Sequence, residues 1–135
     1  MSPPSPRVVF HASLDRCAAN DGFIDRFYQL FMDSSATIRF RFRNTDFEHQ
    51  KKMLLRSLQL SAAATDGEPD GLRELNERAA SHDRVHLNIG PELYDLWLDA
   101  ILQAASEFDP DWNDDIRAAW QRILGFVIRH MTSRY

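Results

Sequence analysis

The stretch RFRFRNTDFEHQKKML, Arg39 to Leu54, decides how the rest of the chain is read. Phe40 and Phe42 alternate with Arg39, Arg41 and Arg43, and a helical pattern begins soon after. Such alternation suits a short amphipathic strand, whose side chains point to opposite faces at every second residue. It equally suits a corner that presses one aromatic ring against a flat partner and leaves the arginines as a charged rim. The flanks favour helices. Upstream, FIDRFYQLF places Phe23, Ile24, Phe27, Tyr28 and Phe31 at steps of three and four, with Asp21 in position to cap. Downstream, Thr45 or Asp46 can cap a helix whose inner stripe is Phe47, Gln50, Leu54 and Leu58.

The same period continues to the end of the chain. Leu72, Leu75, Ala79, His82 and His86 fall on one helical face after Asp70. Pro91 suits the first position of a further helix, lined inside by Leu93, Trp97, Ile101, Ala104 and Phe108. A last helix is predicted from near Pro110 through Ile116, Trp120, Leu124, Val127 and Met131. TDGEPDG (Thr65–Gly71), NIGPE (Asn88–Glu92) and, more weakly, DPDW (Asp109–Trp112) are the breaks. Pro3, Pro4 and Pro6 predict a flexible tail over residues 1–8, leaving a single domain over 9–135. The expected fold class is all-α with about six to eight helices, TIRFRF (Thr37–Phe42) being its one strand-like segment.

Bulk properties narrow the function classes. A chain of 135 residues suffices for one well-buried core. Its net charge of −4 leaves no broad basic footprint, so nucleic acid is not an expected partner. The single cysteine, Cys17, has no intrachain partner, which suits a reducing cytoplasm. No apolar run has the length of a signal peptide or a membrane span, so a soluble cytoplasmic protein is expected, away from the membrane.

Motifs of self-contained catalysis are missing: there is no C-x-x-C, H-E-x-x-H, G-x-S-x-G, P-loop or G-x-G-x-x-G. What stands out is polar chemistry on apolar faces. His82 shares a face with Leu75 and Ala79, and a buried imidazole needs partners for its ring nitrogens. It is either a core histidine bonded to a nearby acceptor or a metal ligand. His86, one turn on, competes for the same role, whereas His11, His49 and His130 have polar neighbours. Tyr28 and Gln50 add hydrogen-bond donors to stripes otherwise made of Phe and Leu.

Four segments, in order, resemble the bacterial globins. FYQLFMDSSATIRFRF (Phe27–Phe42) is similar to their B–C segment, in which a Phe-Tyr pair precedes a corner phenylalanine that stacks on haem. Tyr28 and Phe42 lie 14 positions apart, which matches without a gap and favours Phe42 over Phe40. DFEHQKKMLLRSL (Asp46–Leu58) resembles the E helix, with Gln50 at the distal position and Leu54 over the iron. His82 follows Gln50 by 32 positions, the spacing of distal Gln to proximal His. GPELYDLWLDAIL (Gly90–Leu102) resembles the start of the G helix, which carries Tyr94 and Trp97.

The resemblance implies a globin fold around haem b, with His82 as the iron ligand and Phe42 flat on the porphyrin. Arg39, Arg41 or Arg43 would meet the propionates, Arg41 being the one assigned here. Tyr28 would donate to bound dioxygen and Gln50 would add a second donor, because the bound gas gathers negative charge. Dioxygen, NO and CO are the implied ligands, with oxygen binding, storage or transport as the role. Tyr94 follows His82 by 12 positions, about two more than in flavohaemoglobins, which keeps His86 as the rival ligand. The last helix also lacks the glutamate that flavohaemoglobins pair with the proximal His. Other readings are nitric oxide dioxygenation with an external reductase, a gas sensor acting through a partner, and a haem-free helical interaction module. A homodimer is a further expectation.

Overall fold

The computed structural model describes residues 4–65, 69, 71–73, 76–77 and 91–133. Six helices are delimited among them: α1 (Pro6–Ala18), α2 (Gly22–Asp33), α3 (Ala36–Arg41), α4 (Phe47–Thr65), α5 (Pro91–Phe108) and α6 (Asp114–Ser133). The predicted helix bearing His82 and His86 falls mainly outside the described residues, as do both histidines.

Local chemistry sets the helix starts. Ser5 Oγ accepts from the Val8 amide at 3.3 Å, and Pro6 takes the first turn, where no amide is needed. Pro6, Arg7 and Val8 therefore belong to α1 and not to the tail expected over residues 1–8. At α2 the cap is supplied by Asn20, whose Oδ1 accepts from the Gly22 amide at 2.8 Å; Asp21 makes no side-chain cap bond. Asp46 Oδ1 accepts from the His49 amide at 3.3 Å at the start of α4. The last helix begins after Pro110, at Asp114, because Asn113 Oδ1 captures the Ile116 amide at 2.8 Å. Asp114 and Asp115 then lie on the positive end of its dipole.

The strand-like segment is helical. Ser35 Oγ accepts from the Thr37 amide at 3.1 Å, starting α3, and Ile38 is its buried residue. Phe42 closes it, its amide donating back to the Ile38 carbonyl at 3.1 Å. Arginine–phenylalanine alternation thus reflects a short helix turning into a corner, with Phe40 outside and Phe42 half-buried against the core. No strand occurs among the described residues.

Apolar faces meet around one main core. Helix α1 packs on α6, with Phe10 against Trp120, while Phe23 and Phe27 of α2 meet Phe108 and Trp97 of α5. Ala100, Ala104 and Ala105 keep α5 thin enough for close approach, and the Cys17 thiol donates to the Ala105 carbonyl at 3.7 Å. Gly22 lets α2 come close too, because a β-carbon there would sit 3.3 Å from the Phe108 ring. Trp120 of α6 is fully buried, edge-on to Phe10 at 4.8 Å and to Phe23 at 6.4 Å.

One polar network crosses this core. The Asp109 carboxylate accepts from Arg16 Nε at 2.6 Å, Arg16 Nη2 at 3.0 Å and Ser13 Oγ at 2.6 Å. It also accepts from the Asp111 amide at 2.9 Å, and Trp120 Nε1 donates to Ser13 Oγ at 2.9 Å. Burial pushes the Asp109 carboxyl up, but these donors and the Arg16 charge outweigh it and hold the group below its ordinary value.

Candidate functional site

The corner between α3 and α4 is tied to α2 by a closed circuit of five rings. Tyr28 meets Phe47 edge to face at 5.5 Å, and Phe47 stacks on Phe42 at 6.4 Å. Phe42 meets Phe31 edge to face at 5.9 Å, Phe31 stacks on Phe27 at 5.4 Å, and Phe27 returns to Tyr28 at 4.9 Å. Helical spacing sets half of this arrangement: Phe27 and Phe31 are one turn apart on α2, and Tyr28 is rotated by one residue towards α4. Trp97 of α5 joins through an edge contact to Phe27 at 6.1 Å. Aromatic pairs of this geometry add about 0.5–1.5 kcal/mol each beyond area burial, enough to fix the corner's position.

Tyr28 is the polar exception in the circuit. It is 6% exposed, and its hydroxyl donates to the Gln50 main-chain carbonyl at 3.4 Å, a weak bond longer than the usual O–H···O range of about 2.5–3.0 Å. Burial drives its ionisation well above the ordinary phenol value, with Gln50 working weakly against it. The hydroxyl is therefore a proton donor at any physiological pH. Gln50 and Leu54 lie one turn apart on α4, Gln50 half-buried and Leu54 buried in the main core. The Gln50 side chain also acts on the Tyr28 hydroxyl, through a side-chain hydrogen bond that works against burial.

The remaining predicted residues lie elsewhere. Tyr94 packs with Met131, Phe126, Val127 and Ile128 in a second apolar group between α5 and α6. Burial alone pushes its phenol up to about 12. At 9% exposure, its hydroxyl has no hydrogen-bond partner among the described residues. Arg41 is exposed on α3, and Arg43 folds back over Phe40. The structure thus gathers Tyr28, Phe42, Gln50, Leu54 and Trp97 about one corner and leaves Tyr94 in a separate group.

Phe47 and Phe31 hold the corner together and were read from the sequence only as stripe residues. Phe47 carried one signal, an aromatic side chain immediately after a capping Asp46.

The corner thus seats one buried, protonated phenol in a circuit of aromatic rings, beside the half-buried Gln50. The globin family model matches residues 26–131, and the chain belongs to the globin family. It is similar to PA3967 of Pseudomonas aeruginosa PAO1, a protein described as structurally highly homologous to a human haemoglobin. The two are 39% identical, with a TM-score of 0.92 over 97% of this chain and 98% of that one. Among curated proteins no match was found. No helix among the described residues is long and apolar enough to cross a membrane.

Proposed function

We propose that this globin binds haem b through His82 and reversibly binds dioxygen, with NO and CO as further ligands, for oxygen binding, storage or transport. The carrying observation is Tyr28: a phenol buried among aromatic rings, kept protonated, whose long bond to the Gln50 carbonyl leaves it capable of a shorter one. When bound, haem supplies the ferrous iron that takes a diatomic gas and shifts charge onto it. The chain's residues do the rest. Phe42 offers its ring to the porphyrin face, and Arg41 meets a propionate. Tyr28 donates to the bound gas, Gln50 brings a second donor, and Leu54 keeps water away from it. Tyr94 and Trp97, on α5, complete the binding residues.

Hemin titration of the purified chain tests this. A Soret band saturating at one haem per chain is expected for the parent and for His86→Ala. For His82→Ala, loss of the parent's ferrous carbon monoxide spectrum is expected. An unchanged spectrum in His82→Ala would exclude it as the ligand.

A further inference from the structure

The outer side of the same corner has a character that gas binding does not use. Phe40 is 61% exposed, one of two large apolar side chains left so open among the described residues. The Arg43 guanidinium lies over its ring, 3.6 Å from the centroid, and Nη1 donates to the Phe40 carbonyl at 2.7 Å. Arg39 Nη1 is likewise held, by the Met32 carbonyl at 3.0 Å. Both guanidiniums are thus anchored by main-chain oxygens, and neither has a carboxylate partner among the described residues. They place two positive charges four positions apart, either side of the exposed Phe40, on a chain of net charge −4.

We infer that Arg39, Phe40 and Arg43 form a docking surface for an acidic protein. An anchored guanidinium loses little further freedom on binding, and its remaining N–H groups match a carboxylate two at a time. Arginine and exposed aromatic side chains are also the residue types that dominate interface energetics. A lipid surface fits less well, because insertion needs a broad apolar face, whereas here one ring is already covered by its own guanidinium. Phe40 is two residues from Phe42, which packs against the core, so a protein seated outside would contact the same short segment that carries Phe42. An electron carrier is the partner this placement suits. Its reduced cofactor would lose one electron, and ferric iron would gain it to become ferrous. The electron-carrier part rests on the haem reading, whereas the acidic docking surface does not.

The test is binding of an acidic flavodoxin to the full chain, followed by the flavodoxin's amide NMR shifts and read independently of any haem signal. Parent binding at low ionic strength should weaken at least tenfold at about 0.5 M salt, where screening acts within a few ångströms. Arg39→Glu with Arg43→Glu should weaken it at least tenfold at low salt. Arg39→Gln with Arg43→Gln should fall between, and circular dichroism verifies that each variant is folded. Binding unchanged by charge reversal overturns the proposal. So does a result in which phosphatidylserine vesicles bind through these residues and flavodoxin does not. Hemin titration of the same variants reports on haem binding separately, so the two readings fail independently.

Discussion

Arg16 and Asp109, 93 positions apart, meet side-on through two hydrogen bonds of 2.6 and 3.0 Å and join α1 to the turn between α5 and α6. The Asp109 side chain is fully buried, while Arg16 keeps 31% of its side chain exposed. Removing the arginine strands a carboxylate in the core. Arg16→Met should therefore cost about 3 kcal/mol at neutral pH, the lower end for a broken buried pair because Arg16 is partly in water. The pH dependence follows in sign. With its folded value below the unfolded one, Asp109 contributes stability that is present above about pH 4 and lost as pH falls through the folded value. Denaturant melts followed from pH 7 down to about pH 2 should show the Arg16→Met deficit shrinking at the acid end. A constant deficit would mean that the pair is not ionic.

At the alkaline end the sign reverses. The Cys17 thiol is pushed up to about 12 by burial first, then by the Asp109 charge, with Arg16 and Ser13 opposing. Burial alone takes the Tyr94 phenol to about 12. The fold favours both neutral forms, so their contribution is present below the ordinary values of 9.0 and 10.0 and is lost as pH rises towards 12. Cys17→Ala should flatten the fall in unfolding free energy over that range.

Tyr94→Phe removes a buried hydroxyl that has no partner among the described residues. In the absence of hemin the variant should be no less stable than the parent, and as much as about 1 kcal/mol more stable. With hemin bound the order should invert if that hydroxyl finds an acceptor. Thermal melts with and without hemin measure both, and a large loss in the hemin-free protein would contradict an unpartnered hydroxyl.

Replacing Tyr28 by Phe keeps the ring circuit and deletes only the donor. Dioxygen release should accelerate roughly 10- to 100-fold, corresponding to one hydrogen bond to a charged acceptor. Stopped-flow displacement by carbon monoxide gives the rate, and an unchanged rate would remove Tyr28 from the ligand's neighbourhood.

Phe47→Ala breaks the circuit between Tyr28 and Phe42. A cost of about 2 kcal/mol is expected, below that of a fully buried Phe because Phe47 is half-buried. Dioxygen release should also quicken, since Tyr28 loses the ring that steadies it.

Much of this was legible in the sequence, and the misses have physical causes. Helices with a long apolar period, such as α2 and α5, and the proline start of α5 show directly in residue spacing. Thr37–Phe42 misled because a six-residue helix is too short to display a period of 3.6, so alternation resembles a strand. Pro6 was assigned to a tail because proline breaks helix interiors, yet it is welcome in the first turn behind Ser5. Phe42 could be preferred over Phe40 only through the resemblance to globins; local pattern treats them alike. The Asp109 network was invisible because its partners are about 100 residues away in sequence, and DPDW read merely as a break.

Tyr28 reaches α4 through the Gln50 main-chain carbonyl as well as through its side chain. Every amino acid carries that carbonyl, so the main-chain part of the anchor survives replacement at position 50 by any residue but proline, which would forfeit the amide's bond to the Asp46 carbonyl. Natural drift or deliberate engineering there can retune how polar the gas's surroundings are while the tyrosine keeps its aim.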